Sequence, residues 1–391
     1  MSQPRSVFVD EAVLDLNYIP SRLLHRDAEL RFLTNLFRFI VDTPYEMSQR
    51  ALILGGVGSG KTALAQKFGL NLKEEARRRR VRVEYIHVNC RESRGSLFMI
   101  LQRAVRRLRP NFPDRGFSAN ELLDTLMRIL DEEDTQLVLC LDEVDALIDE
   151  EGSDALYNLT RVQEERLEGP RRLSLICISK DPEKFRELDK STLSTLQRNA
   201  IRMPEYTRPQ LSDIVTSRAE IAYRPGAISP EIIDFISELA TSEGGDARYA
   251  IDILWRAGKY ADTDYAREVL PEHVRKATAI VFPAIRPEEI RQLSRHEKLA
   301  LLGIARHFMH SRETKATTGE AELSYQVVCE EYGEEPRGHT QFWKYLNRLS
   351  GVGVISTALQ ASERGRTQLI SLPKVPAEAL ERELTKIIEQ G

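Results

Sequence analysis

Four short apolar runs punctuate the first half of the chain. Residues 51–54 (ALIL), 83–89 (VEYIHVN), 137–141 (LVLCL) and 173–179 (LSLICIS) each read as a buried strand. Longer stretches of helical periodicity lie between them, 118–130 and 153–167 among them. Short apolar strands alternating with helices predict an α/β domain on a parallel sheet. The alternation stops near Pro204. From 208 to 280 only helical segments appear, at 208–222, 229–242, 246–260 and 271–279. One of them opens on Ser229-Pro230-Glu231, an N-cap followed by proline in the first turn. This part predicts a small all-helical domain. The stretch 281–290 carries two prolines and reads as a linker. Beyond it, 294–310, 321–333 and 338–350 read as helices, and 352–372 as two strands around a turn at Glu363–Arg366. Three helices and a β-hairpin describe a winged helix. The predicted order is an α/β domain over 1–204, a helical domain over 205–282 and a winged helix over 290–391.

The first apolar strand runs into Gly55-Gly56-Val57-Gly58-Ser59-Gly60-Lys61-Thr62. Every fixed position of G-x-x-x-x-G-K-[ST] is filled, and a helical stretch follows. Glycines let backbone N–H groups converge on phosphate oxygens, and the helix N-terminus adds positive potential. Lys61 is placed for the β- and γ-phosphates of ATP or ADP, and the Thr62 hydroxyl for Mg²⁺. The third apolar strand ends in Asp142-Glu143. A carboxylate there suits the metal, and the next one suits polarising water toward the γ-phosphate.

The chain of 391 residues has a formal net charge of −4, which excludes a uniformly basic nucleic-acid binder. Hydrophobic residues make up 41%, which excludes a disordered chain. The four cysteines (Cys90, Cys140, Cys177, Cys329) form no C-x-x-C pair, so neither a disulfide framework nor a zinc site is expected. The N-terminal stretch has no long apolar core and no window of about 18 apolar residues exists. A cytoplasmic, nucleoid-associated protein with no membrane partner is expected.

Charge is unevenly spread. From Arg337 to Lys374 six Lys/Arg face one acid, so this segment carries +5 and the rest of the chain −9. On the helix around 340–349, Phe342, Leu346 and Leu349 share one face, and Thr340, Gln341, Lys344, Asn347 and Arg348 the other. In a helix-turn-helix arrangement that polar face enters the major groove. Arg337 precedes it, and Arg364, Gly365 and Arg366 sit at the tip of the wing, where they suit phosphate or minor-groove contact. A second basic stretch runs from Lys73 through Arg77–Arg80 to Arg109 and Arg115, with Phe112 and Phe117 beside the arginines.

The order of these pieces resembles the archaeal origin-recognition and cell-division-control replication initiators, AAA+ ATPases with a C-terminal winged helix. The resemblance also rests on residues 18–30 (YIPSRLLHRDAEL), on Gly245-Asp246-Ala247-Arg248 and on Pro204-Glu205-Tyr206-Thr207 followed by Leu211, Ile214 and Arg218. It implies that Arg248 approaches the γ-phosphate from the lid, and that Tyr206 and Arg218 contact nucleotide from the lid side. It also implies a DNA-touching insertion at about 94–118, which contains Arg109 and Arg115, and recognition of duplex origin DNA. A replicative helicase and initiator paralogues are the implied partners. Two positions depart from the family pattern. Lys180 stands where the sensor-1 asparagine is expected, and Ser191 where the arginine finger is expected. An arginine finger is worth about 10³–10⁵ in rate, so slow hydrolysis and use of ATP/ADP state as a switch are expected. Two other classes share these parts: a signalling switch NTPase whose winged helix binds protein, and a clamp-loader-like enzyme. The first predicts no footprint on duplex DNA, and the second brisk DNA-stimulated hydrolysis.

Overall fold

In the computed structural model, residues 6–113, 115–163, 169–188, 190–281, 287–362 and 365–390 are described. They form two compact units. One consists of residues 19–206 and 244–247, the other of 6–18, 207–243 and the chain from 248 onward.

The first unit is the expected α/β domain. Helices α1 (Asp27–Leu36) and α2 (Phe39–Asp42) lead to strand β1 (Arg50–Gly55), then α3 (Lys61–Arg79) and β2 (Val83–Asn89). Helices α4 (Leu97–Leu108) and α5 (Ala119–Glu132) precede β3 (Gln136–Asp142), α6 (Asp145–Arg161), β4 (Leu173–Ser179), α7 (Lys190–Gln197) and β5 (Ala200–Met203). The five strands form one sheet in the order β2-β3-β4-β1-β5, all pairs parallel. Successive side chains point to opposite faces. Leu52, Leu54, Leu139, Leu141, Leu175 and Cys177 therefore pack under α4, α5 and α6. Ala51, Ile53, Val138, Cys140, Ile176 and Ile178 pack under α1, α2 and α3. Both faces are covered, which is why these strands read as unbroken apolar runs. The helix read at 153–167 begins earlier, at Asp145, and bends at Gly152, whose φ is 67°. Residues 164–167 of that reading lie outside the described residues.

The second unit carries helices α8 (Arg208–Ala222), α9 (Pro230–Ser242), α10 (Ala247–Thr263) and α11 (Pro271–Val281). The short α12 (Pro287–Arg291) follows, then α13 (Arg295–His310), β6 (Ala316–Thr317), α14 (Thr318–Glu331) and α15 (His339–Val352). Strands β7 (Ser356–Ser362) and β8 (Gly365–Ser371) form the hairpin, with β6 beside β8, and α16 (Ala377–Gln390) closes the chain. Reciprocal capping boxes at Ser294/Glu297 and Thr317/Glu320 start α13 and α14. The winged-helix core gathers Leu299, Leu302, Phe308, Tyr325, Phe342, Leu346 and Leu349, and α16 adds Leu380 and Leu384.

Two arrangements differ from the sequence reading of separate blocks at 1–204, 205–282 and 290–391. Residues 6–18 pack with the helical lid instead of the α/β unit. The Phe8 ring lies 4.8 Å from that of Tyr223, and the Trp255 indole N–H donates to Glu11 at 2.6 Å. A Cβ on Gly258 would come within 2.2 Å of Phe8. The lid and the winged helix also belong to one unit. Arg275 of α11, fully buried, donates from Nε to the Leu372 carbonyl at 3.1 Å, and its guanidinium lies 4.6 Å over the Phe308 ring. Glu272 accepts from it at 3.4 Å. Ion pairs Lys315–Glu238 and Arg312–Glu268, at 2.6 and 2.7 Å, and Lys374–Glu243 join the same two parts.

Removing one partner of a buried ion pair leaves the other uncompensated. Arg275→Ala is expected to lower the unfolding free energy of this unit by about 3–5 kcal/mol, read from the shift of the urea transition. A change no larger than a surface substitution gives, about 0.5 kcal/mol, would contradict this reading of the joint.

Candidate functional site

Strand β1 delivers residues 55–62 to the carboxyl end of the sheet, and α3 starts at Lys61. Open α/β sheets bind ligands at that end. Gly58 and Gly60 adopt φ of 71° and 91°, a region L-residues rarely occupy. Space forbids side chains as well. A Cβ on Gly58 would lie 1.9 Å from Oδ1 of Asp246, and one on Gly60 would lie 2.7 Å from the Tyr206 hydroxyl. Ser59 is buried and its hydroxyl donates to the Gly56 carbonyl at 2.9 Å. Val57 is 61% exposed at the loop tip. Lys61 Nζ donates to the carbonyls of Gly55 and Gly56 at 2.8 and 2.7 Å, across the mouth of the loop.

Strand β3 brings Asp142 to the same end. The Thr62 hydroxyl donates to Asp142 Oδ2 at 2.8 Å, so the hydroxyl and the carboxylate meet as a hard-oxygen pair suited to Mg²⁺. Burial pushes the Asp142 carboxyl up in pKa. Hydrogen bonds from His87 and Thr62, with the Glu143 N–H, outweigh that and hold it below the ordinary carboxylate value. Glu143 sits at φ 51° and its N–H donates to Asp142 Oδ1 at 2.9 Å. A non-glycine residue held in the left-handed region is a local cost found at functional sites.

A buried arginine frames the loop. Arg26 is 3% exposed; its Nε donates to the Ser59 carbonyl and the Tyr206 hydroxyl, both at 3.1 Å, and Nη2 donates to the Pro204 carbonyl at 2.6 Å. Its guanidinium lies 4.1 Å over the Tyr206 ring. Tyr206 is therefore a buried wall behind Gly60, and burial raises its hydroxyl pKa, with Arg26 opposing. The sequence places Arg26 within the 18–30 stretch and marks no partner for it. The signal available was a cation inside a conspicuous motif. The Gly244-Gly245-Asp246-Ala247 stretch also belongs to this unit. Gly245 packs on the Tyr206 backbone, and the Ala247 N–H points at the Gly58 carbonyl at 3.4 Å.

In the other unit, Arg248 is exposed in the first turn of α10. Arg218 of α8 is buried and donates to the carbonyls of Val13 and Tyr18 at 2.8 and 3.1 Å, with its guanidinium 4.5 Å over the Tyr18 ring. The Arg218 guanidinium, expected at the nucleotide, thus holds the segment around Val13 and Tyr18. Lys180 is exposed and its backbone N–H donates to Asp145 at 3.2 Å. Ser191 accepts from Arg161.

The winged helix divides its third helix as expected. Phe342, Tyr345, Leu346 and Leu349 of α15 are buried, while Thr340, Gln341, Lys344, Asn347 and Arg348 are exposed. Trp343, 49% exposed, shares the outer side. Arg337 is exposed, its N–H donating to the Tyr325 hydroxyl at 3.2 Å and its Nε to His296 at 3.3 Å. Gly365 and Arg366 open β8. Arg364 lies outside the described residues. The insertion at 94–118 holds α4, whose apolar face enters the core while Arg103, Arg106 and Arg107 point outward. Arg109 is paired with Glu132 and Glu133 at 2.7 and 3.1 Å, and Arg115 is exposed. Phe112 and Phe117, which the sequence puts beside the arginines of the DNA-touching insertion, meet as tilted rings with centroids 4.9 Å apart and pack against the sheet core. Their apolar area is better buried there than in a wet groove. Arg78 and Arg79 pair with Glu74, Glu75 and Asp42, so this basic run largely serves the end of α3.

Comparison with known proteins bears on both units. Residues 47–179 match the AAA domain, 212–279 the Cdc6 AAA+ ATPase-type lid domain, and 288–382 the CDC6 C-terminal winged helix domain. The chain is 33% identical over 401 residues to the ORC1-type DNA replication protein 2 of Sulfolobus acidocaldarius, covering 99% of this chain and 96% of that one. It is similar to the crystal structure of Cdc6p from Pyrobaculum aerophilum, with TM-score 0.84 and 33% identity over 98% of this chain and 99% of that chain. It is also similar to the Aeropyrum pernix ORC1 protein in complex with DNA, with TM-score 0.65 and 30% identity over 97% of each chain.

Strained backbone costs about 1–3 kcal/mol, and about 1.4 kcal/mol is tenfold in affinity. Gly58→Ala is expected to weaken ADP binding about tenfold in a fluorescence titration. Adding Asp246→Ala removes the colliding carboxylate and should recover part of the loss. Undiminished affinity in Gly58→Ala would show that the loop does not need this glycine.

Proposed function

The chain belongs to the archaeal origin-recognition and cell-division-control family of DNA replication initiators, and from that membership we propose that it is an ATP-regulated protein that recognises duplex origin DNA. Its winged helix reads the major groove with the outer face of α15, and the wing and the AAA+ insertion add backbone contacts. The observation that carries this reading is the division of α15 into a buried and an exposed face. Phe342, Tyr345, Leu346 and Leu349 fill the domain core, which leaves Thr340, Gln341, Lys344 and Arg348, with Trp343 among them, on the surface. Helicase recruitment and assembly with initiator paralogues complete the proposed role.

Nucleotide binds through Gly55–Thr62 in this reading. The glycine cradle accepts phosphate oxygens and Lys61 turns from the loop carbonyls to the β- and γ-phosphates. Thr62 and Asp142 hold Mg²⁺, which when bound neutralises phosphate charge. Glu143 orients water, and Arg248 reports the γ-phosphate to the lid. Hydrolysis is slow, because Ser191 and Lys180 replace two groups that usually assist it. ATP and ADP therefore act as the two states of a switch.

Two experiments test the proposal. Lys344→Ala with Arg348→Ala should weaken binding to duplex DNA and flatten the salt dependence by about one unit of slope per phosphate contact removed. Binding and slope equal to the parent protein would overturn the assignment of α15, and the absence of any duplex footprint would favour the signalling class. Single-turnover and steady-state hydrolysis of the parent protein should both be slow, with Glu143→Gln retaining nucleotide affinity. Rapid turnover abolished by Glu143→Gln would refute the switch.

A further inference from the structure

Strand β2 contributes a residue to the nucleotide site that the sequence motifs do not mark. His87 lies in register beside Cys140 of β3, and its Nε2 reaches Oδ2 of Asp142 at 3.0 Å. The same oxygen accepts from the Thr62 hydroxyl at 2.8 Å, and Oδ1 accepts from the Glu143 N–H at 2.9 Å. Three donors from β2, from the start of α3 and from the turn after β3 therefore fix the carboxylate plane. His87 Nδ1 is buried and has no hydrogen-bond partner among the described residues.

An ionised carboxylate only accepts, so Nε2 carries the proton that it donates to Asp142. Groups that hydrogen-bond a metal-binding side chain orient it and tune the site, although they never touch the ion. The hydrogen bond of His87 Nε2 goes to Asp142.

We propose that His87 is a positioning residue for the divalent cation: its Nε2–H, paired with the Thr62 hydroxyl on the same oxygen, holds Asp142 in the orientation that receives Mg²⁺. This rests on the nucleotide-site reading above. It assigns His87 an effect on the metal-dependent part of nucleotide binding and none on the metal-independent part. His87 also lines a surface cleft of about 500 Å³ along β2, with Gln66, Lys73 and Arg103. Substitutions there can accordingly be accommodated without opening the sheet core.

The test uses the full chain and a fluorescent ADP titrated with Mg²⁺ or in EDTA. His87→Leu should leave affinity in EDTA unchanged and raise the Mg²⁺ concentration for half-maximal effect about tenfold. His87→Gln, whose side-chain amide also donates, should restore most of the difference. Manganese titration followed by electron paramagnetic resonance, with ADP saturating, gives the same comparison without hydrolysis. Should His87→Leu fail to fold, His87→Asn, with its shorter reach, takes its place. An unchanged Mg²⁺ midpoint overturns the proposal. So does equal weakening with Mg²⁺ and in EDTA, or a glutamine variant no better than leucine. A parent protein that binds no nucleotide under either condition would refute the nucleotide-site reading itself, and this role with it.

Discussion

One buried guanidinium holds the nucleotide loop to its surroundings. Arg26 stands immediately before α1 and distributes its donors over the Ser59 carbonyl, the Pro204 carbonyl and the Tyr206 hydroxyl. It thereby ties the entry to the α/β unit, the phosphate loop and the chain leaving β5. A charge so deeply placed is tolerated only where its hydrogen bonds are met. The other features of the site follow from that anchorage. Tyr206, pinned under Arg26, fills the space against Gly60, and Gly245 must be small because the Tyr206 backbone passes beside it. The glycines of the motif thus serve two ends: they leave phosphate room on one side and accept close packing on the other.

Much of the fold is legible in the sequence because its signals are local. Strands β1, β3 and β4 are buried on both faces, and the P-loop fixes its own turn and helix. The lid helices and the winged helix carry caps and periodicity that hold wherever they pack. The rest depends on distant partners. Strand β5, of sequence AIRM, alternates exposed and buried positions over four residues, too short a run to stand out. Residues 6–18 read as an extension of the first domain, yet their partners are Tyr223, Trp255 and Arg218, far along the chain. The site shows the same division. Lys61, Thr62, Asp142 and Glu143 follow from motifs, whereas Arg26 and His87 matter only through the atoms they meet.

The charge distribution needs the same distinction. Several arginines of the first unit are engaged at home: Arg78 and Arg79 with acids of α3 and α2, Arg109 with the end of α5, Arg172 with Asp131 and Asp134. Such pairs contribute little long-range field. Lys344 and Arg348 instead stand on the exposed face of α15 in a segment of net +5. A net charge of −4 is therefore compatible with a basic face, because the acids are spent elsewhere.

The N-terminal segment carries a consequence for how the protein comes into being. Residues 6–18 pack on a lid that the ribosome makes only after all five strands of the sheet. While that unit is synthesised and folds, Phe8 and the carbonyls of Val13 and Tyr18 have no native partners. The lid in turn cannot bury Arg218 until this waiting segment returns to it. Residues 6–18 thus meet their partners only after the strands between them have been synthesised, and the helical unit joins segments from both sides of the sheet domain in the chain.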